Sequence, residues 1–292
     1  MSTADPTVAD PPMRPAAPKE VIYRHRLVTR ITHWINLLAI SLLLMSGLQI
    51  FNAHPRLYWG QYGADADRSI LELGSDEDAA GATTGFTQIG PVVITSTGLF
   101  GASKNNQGEI SARGFPTWAT LPSMQDLATG RRWHFFLAWL FVANGLVYLA
   151  YGALTGHFRR DIAPNRAELS PRHVLKDIGD HIRLKRPSGE AAKHYNTLQK
   201  LAYLGVIFLI LPMMLLTGLT MSPGMNAATP FLLDLFGGRQ SARTLHFISA
   251  NLIVLFVIVH VVEVFVAGVW NEMRSMVTGW YVVKPEAHDD HG

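Results

Sequence analysis

Four of the twelve histidines in this 292-residue chain, His33, His134, His246 and His260, fall within or at the lip of long apolar runs. An imidazole is costly to hold in such surroundings and marks a functional position by default. His246 and His260 are fourteen residues apart. On a helix, at about 100° and about 1.5 Å per residue, that interval returns to nearly the same face roughly 21 Å further along. One helix can therefore offer one nitrogen ligand to each of two centres at different depths. For any single histidine the competing explanation is a hydrogen bond to a neighbouring helix.

Cysteine is absent. That excludes disulfides, thiolate-held iron–sulfur clusters and covalent c-type haem attachment. A redox group in this chain must be held by other side chains. Imidazole also serves zinc and copper, but those ions want their ligands gathered at one depth.

The elements that must position these histidines are the apolar runs at 31–51, 133–154, 198–221 and 245–270, with Glu263 the main charged exception. Each is about the 20 residues that cross a bilayer as a helix. The expected fold is an all-α integral membrane protein, a four-helix transmembrane bundle over 21–283. A disordered cytoplasmic tail is expected at 1–20 and a second tail at 284–292. The Pro-, Ala- and Asp-rich first residues lack the apolar core of a cleavable signal.

Arg24, Arg26 and Arg30 precede the first run, and nine Lys or Arg residues crowd the 156–197 connection. The positive-inside bias places both in the cytoplasm, with the two termini, and turns 52–132 and 222–244 outward. The same flanking pattern accounts for the net charge of +3, so no nucleic-acid partner is implied; the membrane lipid is the partner of these helices. The long outward loop 52–132 reads as a small irregular cap on the outer surface, with room for a hairpin and a short β-prone run at 91–97. No internal repeat is evident.

With that topology the histidines fall into two pairs matched in depth. His134 and His246 lie toward the outside, His33 and His260 toward the inside. The expectation is two non-covalent haems b, each between two imidazoles, an arrangement with no open coordination position that suits electron transfer. His54 is a reserve outer ligand. Arg131, Arg132 and Arg243 flank the outer pair and Arg30 the inner one. They are candidates to pair with haem propionates, and interfacial snorkelling explains them equally. Gly47, Gly145, Gly205 and Gly218 make room for a macrocycle or, more simply, for close helix packing. Asn36, Gln199 and Glu263 are candidates for quinone binding or proton transfer near the inner pair. His157, His173, His181 and His194 read as solvated.

The stretches RHRLVTRITHWIN (24–36), SGLQIFNAHPRLYWG (46–60), GRRWHFFLAWLFVANGLVYLAYG (130–152), YNTLQKLAYLGVIFLILPMMLLTGLTMSP (195–223) and RTLHFISANLIVLFVIVHVVEVF (243–265) make the chain recognisable. It resembles bacterial cytochrome b561-type membrane subunits, in particular thiosulfate reductase cytochrome b subunits. More distantly it is similar to formate dehydrogenase gamma subunits and the b-type cytochromes of nickel–iron hydrogenases. The resemblance implies a di-haem bundle in the bacterial inner membrane, with ligands His33, His134, His246 and His260. It further implies a quinone as redox partner and a periplasmic catalytic subunit, typically a molybdopterin oxidoreductase. The chain would then be an electron-transfer subunit with no catalytic residues of its own. The rival classes are a proton-coupled transporter using the buried histidines and Glu263, and a structural membrane anchor.

Overall fold

The computed structural model describes residues 20–64, 67–183 and 195–283. Of the tails expected at 1–20 and 284–292, residues 1–19 and 284–292 lie outside the described residues, as does His194, while Glu20 lies in a strand. In chain order, β1 (Glu20–Tyr23) leads into α1 (Leu27–Phe51). A β-rich segment follows, with β2 (Arg56–Leu57), β3 (Leu71–Glu77), β4 (Thr83–Ile89), β5 (Val92–Thr95), β6 (Ala102–Lys104) and β7 (Ile110–Ala112). Then come α2 (Leu127–Thr155), α3 (Pro171–Ile182), α4 (Thr197–Gly205) and α5 (Leu211–Met221). The short α6 (Pro223–Ala228) and α7 (Phe231–Leu235) lead to α8 (Arg239–Thr278) and β8 (Trp280–Val283).

Four helical stretches are long and apolar enough to span a membrane: α1, α2, the continuous run Thr197–Met221 and α8. Their packing is inverted relative to a protein that folds in water. The most completely buried side chains include Gln49, Thr197, Thr217, Thr220, Ser46 and Ser275, whereas Phe136, Leu209, Leu255, Ile258 and Phe265 stand exposed. Hydrocarbon outside and small hydroxyls inside is the pattern of helices packed in lipid, where close backbone approach and interhelical hydrogen bonds replace the hydrophobic drive. The chain is a multi-pass membrane protein.

Local sequence sets the helix limits. Asp126 caps α2 by accepting the Thr129 N–H at 3.0 Å, and Gly156 ends that helix in the left-handed region. Asn196 and Gln199 form a reciprocal capping box at the start of α4. Between α4 and α5 the helix widens over Val206–Ile210, with the Leu211 N–H bonded to the Val206 carbonyl. Pro212, next in line, has no N–H to return to the Phe208 carbonyl, and the widened turn absorbs the mismatch. Gly268, at φ 115° and ψ 87°, breaks α8 near its end. The following residues turn back against α1, where Trp34 donates to the Met276 carbonyl at 3.1 Å.

The two ends of the described chain meet. β1 pairs antiparallel with β8, from Glu20↔Val283 to Tyr23↔Trp280. Arg24 bonds Glu272 at 3.3 Å and lies over the Tyr281 ring at 4.5 Å. Both ends are thereby on one side of the bundle, the terminal face; the β-rich segment is on the other, the loop face.

That segment corrects the expectation of an irregular loop in an all-α protein. It holds an antiparallel sheet of order β2-β3-β4-β5 and a hairpin of β6 and β7. Phe51, Leu57 and Leu73 form its core with Phe100, Phe115 and Phe247, which joins the sheet to the ends of α1 and α8. The Arg113 guanidinium is buried and donates to the Phe115 and Ser123 carbonyls and to Thr120. Burial lowers its pKa from the usual arginine value.

Candidate functional site

The four membrane histidines meet in two pairs. On the loop side, the His134 and His246 rings have centroids 6.3 Å apart; on the terminal side, His33 and His260 are 6.2 Å apart. A metal held linearly between two imidazole nitrogens by bonds of about 2 Å sets the ring centres roughly 6 Å apart. Both pairs have that spacing. Helix α8 supplies one ring to each, while α2 and α1 each close one.

The loop-side rings are oriented by hydrogen bonds. Ser46 donates its hydroxyl to the Leu42 carbonyl, so its oxygen is free to accept from Nδ1 of His134 at 3.1 Å. Thr217 likewise donates to the Met213 carbonyl and accepts from Nδ1 of His246 at 3.1 Å; the Met214 carbonyl shares that proton. With the proton placed on Nδ1, Nε2 of each ring keeps its lone pair, as a ligand to a metal requires. Gly47 and Gly218 stand beside these rings: a Cβ on either would lie 3.3 Å from the histidine Cε1. The terminal-side pair is held differently. His33 meets Trp34 edge-on, His260 stacks on Phe256, and Nδ1 of His33 is buried with no hydrogen-bond partner among the described residues.

These contacts expose a repeat that the sequence reading missed. Ser46-Gly47-Leu48 on α1 stands to His134 on α2 as Thr217-Gly218-Leu219 on α5 stands to His246 on α8. Arg131 and Arg243 each precede their histidine by three residues, and a phenylalanine follows it. The two helix pairs run in the same direction, a parallel repeat, which the terminal-side pair does not obey.

A profile of the prokaryotic cytochrome b561 family matches residues 24–279. The chain belongs to that family. This b561 protein is therefore a membrane cytochrome that binds haem b and serves electron transfer. It is 28% identical over 261 residues to a putative protein-methionine-sulfoxide reductase subunit, YedZ1, of Azospira oryzae, which covers 89% of this chain and 98% of the relative. No solved structure matches it.

The remaining expected site residues of this b561 cytochrome are dispersed. Arg131 and Arg132 are exposed at the loop-side start of α2, Arg131 lying over the Phe135 ring. Arg243 donates to the Arg56 carbonyl at 2.7 Å and to the His54 carbonyl, and lies over Phe51. It ties the β-rich cap to α8. Arg30 donates to the Val277 carbonyl. His54 stacks on Tyr58 and joins neither pair. Asn36 accepts from Asn144, which also bonds the Thr32 carbonyl, so this amide pair joins α1 to α2. The Gln199 carbonyl group accepts the Asn196 N–H within the α4 cap. Glu263 lies 3.8 Å from Nε2 of His181 on α3, a contact absent from the sequence reading of His181 as merely solvated.

Proposed function

We propose that this b561 cytochrome holds two haems b, one between His134 and His246 and one between His33 and His260. It would relay electrons between a membrane quinone at the terminal face and a redox subunit at the loop face. The observation that carries this reading is the pair of ring separations, 6.3 and 6.2 Å, fourteen residues apart on one helix. Haem b supplies reversible one-electron chemistry when bound. The chain's part would be to hold each haem between two imidazoles, which would leave no place for oxygen to bind and direct the site to electron transfer. Ser46 and Thr217 hold Nδ1 of the loop-side rings, which leaves each Nε2 lone pair free for a metal. The apolar helix faces keep water from the span.

The basic residues around Arg24 and in the 156–197 connection support a cytoplasmic terminal face, which turns the β-rich cap toward the periplasm. The name of the Azospira relative, a putative reductase subunit, supports assembly with a catalytic partner. The resemblance to thiosulfate reductase and formate dehydrogenase subunits suggests a molybdopterin oxidoreductase in that role. Arg131 and Arg132, exposed near the loop-side pair, are suited to propionate carboxylates. A bare membrane anchor would leave the paired histidines without a use.

The test is haem content and its accessibility to quinol. The purified chain is expected to carry about two low-spin haems b, both reduced by a soluble quinol analogue. A folded but colourless protein overturns the reading.

A further inference from the structure

We infer that His181 and Glu263 form the proton-transfer pair that connects the terminal-side histidines to solvent, with α3 as the element that delivers His181. The inference rests on the quinone reading above. Oxidation of a quinol releases two electrons and two protons, and electrons that leave toward the His33–His260 pair cannot carry the protons with them. A protonatable group at the same depth must take them. Glu263 is one helical turn beyond His260 on α8 and lies in the span. A carboxylate there is costly unless it is paired or working.

Its partner comes from outside the span. α3 is an amphipathic twelve-residue helix in the 156–197 connection, and its His181 places Nε2 3.8 Å from Oε2 of Glu263. The other nitrogen of His181, Nδ1, is 3.1 Å from the Asp177 carbonyl, an oxygen that can only accept. Nδ1 therefore carries the proton in the neutral ring, and the lone pair on Nε2 faces Glu263. Asn196 at the α4 cap lies 3.5 Å from the same Nε2. Once Glu263 is protonated, a side-chain shift of under about 1 Å lets its carboxyl O–H donate to that lone pair. Both side chains are about one-quarter exposed, 28% for Glu263 and 25% for His181, so the pair reaches the surface of the bundle.

Several neighbouring charges are committed elsewhere. Lys200 bonds Glu168 at 2.9 Å, Arg24 bonds Glu272, and His173 lies 3.7 Å from Asp177, which also caps the Thr197 N–H. α3 also carries Arg172, Lys176 and Asp180, and Arg183 caps its end. In the proposed step each of the two quinol hydroxyl protons passes in turn to Oε2 of Glu263 and then to Nε2 of His181, and the Nε2 proton leaves to water before the next one follows. The two electrons leave singly toward the loop face. Quinone reduction runs the same path in reverse.

The experiment is stopped-flow reduction of the full-length haem-loaded protein by decylubiquinol, in H2O and D2O, with dithionite as a reductant that delivers no quinol protons. Glu263→Gln and His181→Gln are each expected to slow the quinol reaction at least about tenfold. Dithionite reduction and the haem spectra should be unchanged, and the double variant no slower than either single one. Added imidazole should restore rate to His181→Ala. The oxidised-minus-reduced infrared spectrum should lose a protonated-carboxyl band in Glu263→Gln. Quinol rates equal to those of the parent protein in both variants overturn the pair while leaving the haem and quinone assignment intact. Equal slowing with dithionite also overturns it, since the defect would then lie in the haem site. A parent protein that quinol cannot reduce overturns the quinone reading and this inference together.

Discussion

Gly47 faces the His134 ring so closely that a Cβ at this position would stand 3.3 Å from Cε1, and Gly218 stands in the same relation to His246. A contact that tight forces the ring to give by a few tenths of an ångström. A branched side chain has no such remedy. Gly47→Val and Gly218→Val are expected to remove the loop-side haem, halving the pyridine haemochrome yield, whereas Gly47→Ala should retain it with a shifted potential. Full haem content in both valine variants would contradict the assignment.

The pairing itself is open to a double-variant cycle. His134→Ala and His246→Ala should each abolish one set of haem signals, and the double variant should lose nothing further. His33→Ala and His260→Ala should do the same to the other set. If His134→Ala and His33→Ala remove the same haem, the pairs are wrongly drawn.

Arg243 offers a choice between two roles. Its guanidinium holds the carbonyls of His54 and Arg56, and charge-assisted bonds of this kind are worth about 1.5–3 kcal/mol each. Arg243→Met should make the segment between α1 and α2 sensitive to limited proteolysis while both haems stay bound. Loss of the loop-side haem with an intact cap would place the guanidinium on a propionate instead.

His25 gives the terminal face a pH dependence. The ring is buried, and that burial, helped by the Arg24 charge, lowers its pKa from 6.5 to about 4. The unfolded chain takes up a proton below pH 6.5 that the folded chain refuses until about pH 4. Stability is thus fully present above pH 6.5 and drains as pH falls through that window, by up to roughly 3 kcal/mol. Thermal melts between pH 8 and pH 4 should show this loss, and His25→Gln should flatten it. An unchanged slope in the variant would assign the effect to other groups.

The spans and the four histidines were legible in the sequence because lipid imposes a length and a helix imposes a period. The fourteen-residue spacing of His246 and His260 needed no structure to be read. The β-rich cap was less legible: LELGSDE and TTGFTQI carry only a weak alternation, and Val92–Ile94 put their apolar side chains into solvent. The repeat was hidden because the two halves share little beyond a hydroxyl, a glycine and the arginine-to-histidine spacing. Asn36 and Gln199 suited a quinone by residue type, yet their amides are engaged in holding helices. The Asn196–Gln199 spacing was the available clue to the cap. His181 could not have been singled out, because its value comes from α3 folding back onto α8.

The pairing of β1 with β8 has a consequence for assembly. Residues 20–23 leave the ribosome first of the described chain, and the strand that completes their ladder is synthesised some 260 residues later. Each helix can enter the bilayer as it emerges, but this seam closes only after the last helix is in place. A chain cut short before Trp280 keeps every span and histidine pair, yet leaves an open strand edge that quality control can recognise.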